Sequence, residues 1–512
     1  MEILVRDGEE TFSVEAEEGA SVLAALQRAG VQVDAPCGGG GTCKKCRMLI
    51  ADDEGVSYRL ACETAARPGM EVAVERNRAM SVSMGGLGGD WAADGAAGTF
   101  GLAIDIGTTT VVCRLHDLAT GEIVGALGAS NPQLAFGADV ISRISACDAG
   151  GLEPMALLIG DALVSMVSQL AREQGVALGS IASAVIAGNT TMQHIAARLD
   201  PTPIGVSPFT PQTLFGKRVA FKPFADAGIA GGEVLFAPCV AGYVGGDITC
   251  GLLACGMRAA SEPVLFLDLG TNGEMALGDK NGIVCCATAA GPVFEGANVK
   301  YGMPAYPGAI SKVVLADDGA LDLTVIGGGE PTGICGTGLF DAVALMLRCG
   351  IVDETGRIVD NDEVDPETSQ GLERLLFEED DAPALRITDR IAITQKDVRS
   401  LQLAKASVCA GVLTMMEARG IEADDVAKVV IAGGFGEYLD LRNAAEIGIF
   451  PPELVDRAES VGNTSIAGAS ALLVSGAARE EIARIDEACE YIELSGDKTF
   501  NELYVEQMMF GE

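Results

Sequence analysis

The sequence predicts an α/β chain with a small α+β domain in front of it, and three observations carry that reading. From Phe100 onward, short apolar runs of strand type alternate with helical patterns. Within that stretch GLAIDIGTTT (residues 101–110) is echoed by VLFLDLGTNGE (residues 264–274), their Asp residues 163 positions apart. Ahead of both lies a block whose main feature is a glycine-rich run of clustered cysteines. Two related half-domains facing one another is the simplest reading of the repeat.

The first block, residues 1–79, reads as short strands at 2–6 and 11–14, a helix over 21–29, the cysteine loop, and a final strand near 70–75. It predicts a small mixed fold built round something other than a large hydrophobic core. Residues 80–99 are rich in Gly and Ala without apolar periodicity, and predict a flexible linker. As a coil it spans on the order of 25 Å, and stretched roughly 60 Å, enough for the first domain to visit more than one position. The two halves then occupy 100–260 and 261–512, with the C-terminal segment of the second returning to the first. An acidic stretch at 353–381 reads as a solvated insertion.

Bulk properties narrow the function. At 512 residues the chain is too long for one core. Its 35 Lys and Arg against 72 Asp and Glu give a net charge of −37. So negative a surface repels phosphate backbones and anionic lipid, which argues against nucleic acid and membrane as partners. No run of about 18 apolar residues predicts a membrane span, and the acidic start lacks a signal-peptide pattern. The expected location is cytoplasmic, where 15 cysteines stay mostly reduced and clustered ones suggest metal ligation.

Cys37, Cys43 and Cys46 stand in CGGGGTCKKC with C-x5-C-x2-C spacing, and Cys62 follows sixteen residues later. Four thiolates are what a [2Fe–2S] cluster needs. The glycines let the backbone wrap tightly and turn amides toward cluster sulfurs. CxxC also binds zinc; the glycine run and a fourth cysteine expected at a strand start favour iron. This block resembles ferredoxins of the vertebrate-mitochondrial and bacterial type, which implies a β-grasp fold. Cys239, Cys250, Cys255, Cys335 and Cys409 lie in apolar surroundings and are expected as small buried side chains.

No Walker A sequence occurs, so a P-loop is excluded. The two Asp-x-Gly-Thr turns offer another phosphate cradle, with amides and hydroxyls at a strand tip beside a carboxylate. Together with residues 241–256, 429–440 and 462–476, they resemble the acetate-kinase, sugar-kinase, heat-shock-chaperone and actin superfamily. That resemblance implies a duplicated ribonuclease H-like (actin-like) ATPase fold, with ATP and Mg²⁺ in an interdomain cleft whose closure couples phosphate chemistry to domain motion. Asp105 and Asp268 would hold Mg²⁺ through waters, and Asp247 is the candidate general base. Gly107, Thr108, Thr109, Thr110, Gly270, Thr271 and Asn272 would line the phosphates. Gly433, Gly434 and Gly436 would admit the adenosine. Residues 241–256 and 462–476 would be connecting helices, their small residues suited to a hinge packing. His194 is expected to be structural.

A ferredoxin joined by a linker to such an ATPase resembles the reductive activators of corrinoid enzymes, over nearly the whole chain. Residues 291–310, 333–342 and 502–510 carry further family-like segments. The resemblance implies ATP-dependent reduction of an inactive Co(II) corrinoid protein to Co(I), of the methyltransferase or corrinoid iron–sulfur type, with an upstream low-potential electron donor. It leaves a homodimer open. Some relatives carry an additional middle domain, which is expected to be missing here because the ATPase opens at Phe100. Two other readings stand beside this one: a dehydratase activator, which the fused ferredoxin argues against, and a redox sensor with nucleotide-dependent partner binding.

Overall fold

The structure, a computed structural model, describes all residues except 8, 9, 18, 30, 32, 34, 36–38, 40, 42–45, 53, 54, 75–90, 271, 317 and 512. The chain divides into two compact units. Among the described residues, unit 1 takes the N-terminal block, Trp91–Asp247 and Ala469–Arg479, and unit 2 takes Ile248–Gly468 and the residues from Glu480 onward.

In the N-terminal block, strands β1 (Glu2–Asp7), β2 (Glu10–Glu15), β3 (Arg47–Asp52), β4 (Gly55–Leu60) and β5 (Glu71–Val74) form one sheet in the order β2-β1-β5-β3-β4. The β1–β5 pair is parallel and the rest antiparallel, a β-grasp arrangement. The helix Val22–Arg28 starts where the Ser21 side chain accepts from the Ala24 amide. Two expectations are corrected here. The β3–β4 hairpin was not foreseen, and the block does have a hydrophobic core, with Ile3, Val5, Leu23, Leu26, Ile50 and Val72 fully or almost fully buried.

Unit 1 then lays down β6 (Phe100–Ile106), β7 (Thr110–Asp117), β8 (Ile123–Ser130), β9 (Ile181–Gly188), β10 (Arg218–Ala220) and β11 (Glu233–Phe236). Their order is β10-β11-β9-β6-β7-β8. Strand β6 runs parallel to β9 and antiparallel to β7; buried along nearly its whole length, it reads as the run FGLAIDI, apolar except for Asp105. Helix Leu152–Glu173 buries Met155, Ile159, Leu163, Met166 and Leu170 on one stripe of helical spacing. The helical run Val140–Glu173 is long and apolar enough to cross a membrane by composition, but half of its apolar 18-residue stretch is buried inside the protein.

Unit 2 repeats the plan. Strands β12 (Val264–Leu269), β13 (Gly273–Asp279) and β14 (Gly282–Thr288) form an antiparallel meander. Two small sheets follow, from β15 (Ala309–Leu315), β16 (Leu321–Val325) and β17 (Gly333–Ile334), then β18 (Leu376–Glu379), β19 (Ala382–Arg386) and β20 (Ala392–Thr394). Strands β21 (Lys428–Ala432), β22 (Ala458–Gly462) and β23 (Cys489–Tyr491) complete the order β22-β21-β12-β13-β14-β23. In each unit a three-stranded meander is extended from its first strand by two further parallel strands. The sequence repeat is therefore a repeat of topology.

The chain passes between units inside helices Gly246–Cys255, Thr464–Val474 and Gly476–Ala488. Where the first two meet within unit 2, a methyl group built on Gly468 would lie 2.1 Å from the Cys250 carbonyl oxygen, so only glycine permits the crossing.

The linker expectation needs revision over residues 91–99; residues 80–90 lie outside the described set. The Asp94 carboxylate accepts from Arg479 Nη2 at 2.7 Å and from the Gly476 amide at 2.6 Å. The Gly95 amide donates to Leu118 O at 3.1 Å. The stretch 353–381 is likewise anchored: Ile358, Val359, Val364 and Leu372 are buried in the unit 2 core, while Arg357 pairs with Asp353 and Glu363 outside it.

Candidate nucleotide and iron–sulfur sites

The first Asp-x-Gly-Thr turn joins β6 to β7. Its Asp105 is 7% exposed, and the Gly107 amide closes the turn on the Thr110 carbonyl at 2.9 Å. A methyl group on Gly107 would stand 2.8 Å from that same carbonyl oxygen. Thr108 Oγ1 accepts from Asn189 Nδ2 at 3.1 Å, and Asn189 caps the helix Thr190–Ala196 that follows β9. Gly245 packs on the Asn189 backbone, a methyl there lying 2.5 Å from its Cα. That packing places Asp247, in the first turn of its helix, next to the segment that braces Thr108. Arg114, one strand over and 4% exposed, is pushed below its ordinary pKa by burial, and the Asp105 carboxylate opposes that shift by attraction.

The second turn joins β12 to β13 in unit 2. The Gly270 amide donates to Asn272 O at 3.1 Å, and Asn272 Nδ2 donates to Glu274 Oε1 at 3.1 Å. Gly433, which follows β21, has φ +91°, and a methyl group on it would meet Asp268 Oδ1 at 2.7 Å. The expected adenosine glycine and the expected magnesium carboxylate therefore share one cradle that a side chain would fill. At Gly434 nothing lies within 4 Å of an added methyl, so its exposed backbone is open to a ligand. Gly436 is buried, and its carbonyl accepts from Ser460 Oγ. Thr271 lies outside the described residues.

In the first block, Cys46 and Cys62 converge, their Sγ atoms 3.3 Å apart. That is longer than a disulfide and close enough for two thiolates to repel unless a cation lies between them. The pair fits a cluster that takes thiolate ligands. Cys62 sits in the turn after β4, not at a strand start as expected, because Ala61 closes on Cys46 O at 2.9 Å once the hairpin is complete. Gly39 and Gly41 adopt φ +94° and +73°, as a tight wrap requires. Cys37 and Cys43 lie outside the described residues.

Sequence reasoning missed Asn131, Arg143, Asn189 and Glu295; the last lies 3.9 Å from a methyl built on Gly270. An Asn-Pro-Gln turn and an arginine inside an apolar helix were the available signals. His194 is fully buried, with Nδ1 2.7 Å from Thr190 O and its ring against Phe215, a structural histidine. Cys239, Cys250, Cys335 and Cys409 are buried and Cys255 half-buried. In the tail, Val505 is 64% exposed, whereas Phe510 is buried in the unit 2 core.

The family profile described as a 2Fe-2S iron-sulfur cluster binding domain matches residues 5–67. The RACo middle region matches residues 100–260, and the C-terminal domain of RACo, the ASKHA domain, matches residues 262–512. The class so defined is a [2Fe–2S] ferredoxin domain fused to an actin-like ATPase fold. "Corrinoid activation enzyme RamQ" of Eubacterium limosum is 35% identical over 81% of this chain and 70% of its own length. The "[Co(II) methylated amine-specific corrinoid protein] reductase" of Methanosarcina barkeri is 23% identical over 80% of this chain and 77% of its own. A solved "Reductive activator for corrinoid,iron-sulfur protein" superposes with a TM-score of 0.71 and 31% identity, covering 99% of this chain and 98% of that one. The chain belongs to the family of reductive activators of corrinoid proteins. The segment that matches the RACo middle region, residues 100–260, is the one expected as the first ATPase half and carries the first six-stranded sheet.

Proposed function

We propose that this protein reduces the inactive Co(II) corrinoid of a partner protein to Co(I), one electron at a time, coupled to ATP hydrolysis. The observation that carries the reading is the end-to-end match to a solved reductive activator, with the same ferredoxin and ATPase parts in one chain. When bound, a [2Fe–2S] cluster supplies a one-electron carrier. Cys37, Cys43, Cys46 and Cys62 would hold it. An upstream low-potential donor supplies the electrons, and the protein works in the cytoplasm.

Reduction of cobalt to Co(I) is uphill from an ordinary donor of this type, and a gap of ~100 mV amounts to roughly 2.3 kcal/mol per electron. ATP supports that step through this chain's own loops. In unit 1, residues 107–110 would cradle phosphate, Asp105 would hold Mg²⁺ through waters and Asp247 would act as the general base. In unit 2, Asp268 would hold Mg²⁺ through waters, Gly270, Thr271 and Asn272 would contact phosphate, and Gly433, Gly434 and Gly436 would admit adenosine.

The test is anaerobic. The pre-reduced protein is mixed with a panel of Co(II) corrinoid proteins, with and without MgATP, and Co(I) is followed by absorbance. ATP-dependent Co(I) with a panel member is the expected result. No reduction across the panel, with an intact cluster and measurable MgATP binding, would reject the proposal. Asp105→Asn or Asp268→Asn should abolish the ATP-dependent part and leave the cluster spectrum intact. Sedimentation of the same preparation tests for a homodimer.

A further inference from the structure

The loop at residues 107–110 is held from its buried side at three successive carbonyls. Gly107 O accepts from Asn131 Nδ2 at 2.8 Å. Thr108 O accepts a short hydrogen bond from Arg143 Nη2. Thr109 O accepts from the Asn131 backbone N–H at 2.7 Å. Asn131 and Arg143 are both 0% exposed. In a trans peptide the C=O and the following N–H lie in one plane and point in opposite directions. Fixing these carbonyls inward therefore aims the N–H groups of Thr108, Thr109 and Thr110 the other way, an arrangement that suits an anion.

The braces are themselves built in. Asn131 Oδ1 accepts from the Gln133 amide at 2.9 Å, and Gln133 Nε2 donates to Met155 O at 3.2 Å, tying the turn to the long helix Leu152–Glu173. Arg143 spreads its fork over Gly137 O at 3.0 Å and Met192 Sδ at 2.9 Å besides the loop. Its helix, Val140–Ala146, begins with a reciprocal cap between Asp139 and Ser142. A methyl on Gly137 would strike Ser142 Oγ at 2.4 Å, so the tight turn into that helix depends on glycine.

We infer that Asn131 and Arg143 are positioning residues for the ATPase, bracing residues 107–110 so that their amides receive the phosphate chain of the nucleotide. This rests on the reading of that loop as the phosphate cradle. Arg143 lies behind the loop, so its cationic charge adds to the attraction for phosphate and contributes nothing to adenosine.

The experiment uses the full chain with its cluster. MgATP and adenosine are titrated by displacement of a fluorescent nucleotide, for the parent and for Asn131→Ala, Arg143→Met and Arg143→Lys. The alanine and methionine variants should lose at least tenfold in MgATP affinity, about 1.4 kcal/mol, while adenosine binds as to the parent. Lysine keeps the charge but not the fork, so Arg143→Lys should fall between. Equal loss for both ligands would reduce Asn131 and Arg143 to props of the fold and overturn the inference. Should Arg143→Met fail to fold, the lysine and alanine variants carry the same comparison. Gly107→Ala separates the two layers of the argument. If it weakens MgATP while the Asn131 and Arg143 variants bind like the parent, the bracing role is refuted alone. If none of these variants changes MgATP affinity, the phosphate-cradle reading fails with it.

Discussion

Gly433 and Gly434 are neighbours that make opposite demands, and substituting each by alanine separates packing within the protein from approach of the ligand. At Gly433, alanine must adopt φ +91° and place a methyl 2.7 Å from Asp268 Oδ1. The backbone strain costs about 1–2 kcal/mol, and the carboxylate or the loop must yield by about 0.7 Å to reach ordinary contact. Gly433→Ala should lower the melting midpoint and weaken MgATP together. At Gly434 a methyl meets nothing within 4 Å, so the unliganded protein should change by no more than about 0.5 kcal/mol. Adenosine seated against that backbone would instead meet an inserted methyl, at about 1–3 kcal/mol, or roughly 5- to 150-fold in affinity. Thermal unfolding by circular dichroism and calorimetric titration with MgATP read the two effects separately. Parent-like MgATP affinity in both Gly434→Ala and Gly434→Val would refute adenosine contact at this turn.

Three further outcomes are expected. Cys46→Ser should lose the cluster's visible absorbance and paramagnetic signal after reduction while binding MgATP normally; an unchanged spectrum would remove Cys46 from the ligand set. His116 is buried, with Nδ1 3.0 Å from Gly121 O and Nε2 3.0 Å from Ser470 Oγ, and burial lowers its pKa, as it does for His194. The unfolded chain then takes up more protons as pH falls below 6.5, so stability declines from there downward. His116→Gln should flatten that decline by at most about 1.4 kcal/mol per pH unit, and an unaltered acid profile of melting would contradict the shift. Asp94→Ala should cost no more than about 1 kcal/mol yet speed hydrogen exchange at the Asp94 and Gly95 amides; unchanged exchange would show that the Arg479 pair does not hold the segment.

The elements legible in the sequence were those whose chemistry is local. Asp105-Ile106-Gly107-Thr108 and its copy at Asp268 each carry a strand end, a turn and a carboxylate in four residues, so the repeat could be seen without knowing what packs on it. Asn131 and Arg143 act on residues 24 and 35 positions away, through pairing of β7 with β8, and no spacing rule reaches that far. The β3–β4 hairpin is hard to read because its strands, RMLIAD and GVSYRL, are short and lack a regular polar–apolar alternation beside a conspicuous cysteine run, and the misplacement of Cys62 follows from that. Residues 91–99 have linker composition, but Leu118, Val474 and Arg479 capture them, and only the folded chain brings those three together.

Unit 1 borrows Ala469–Arg479 from far along the chain, and this orders events on the ribosome. Ser470, the hydroxyl beside His116, is translated 354 residues after it, which at about 5–20 residues per second is a wait of roughly 20–70 s. The last strand of the ferredoxin sheet ends at Val74, so that sheet has emerged long before. The electron-carrying domain can thus mature on a nascent chain whose nucleotide-binding half is still incomplete. An interrupted synthesis would release a ferredoxin without an ATPase, never an ATPase without its ferredoxin.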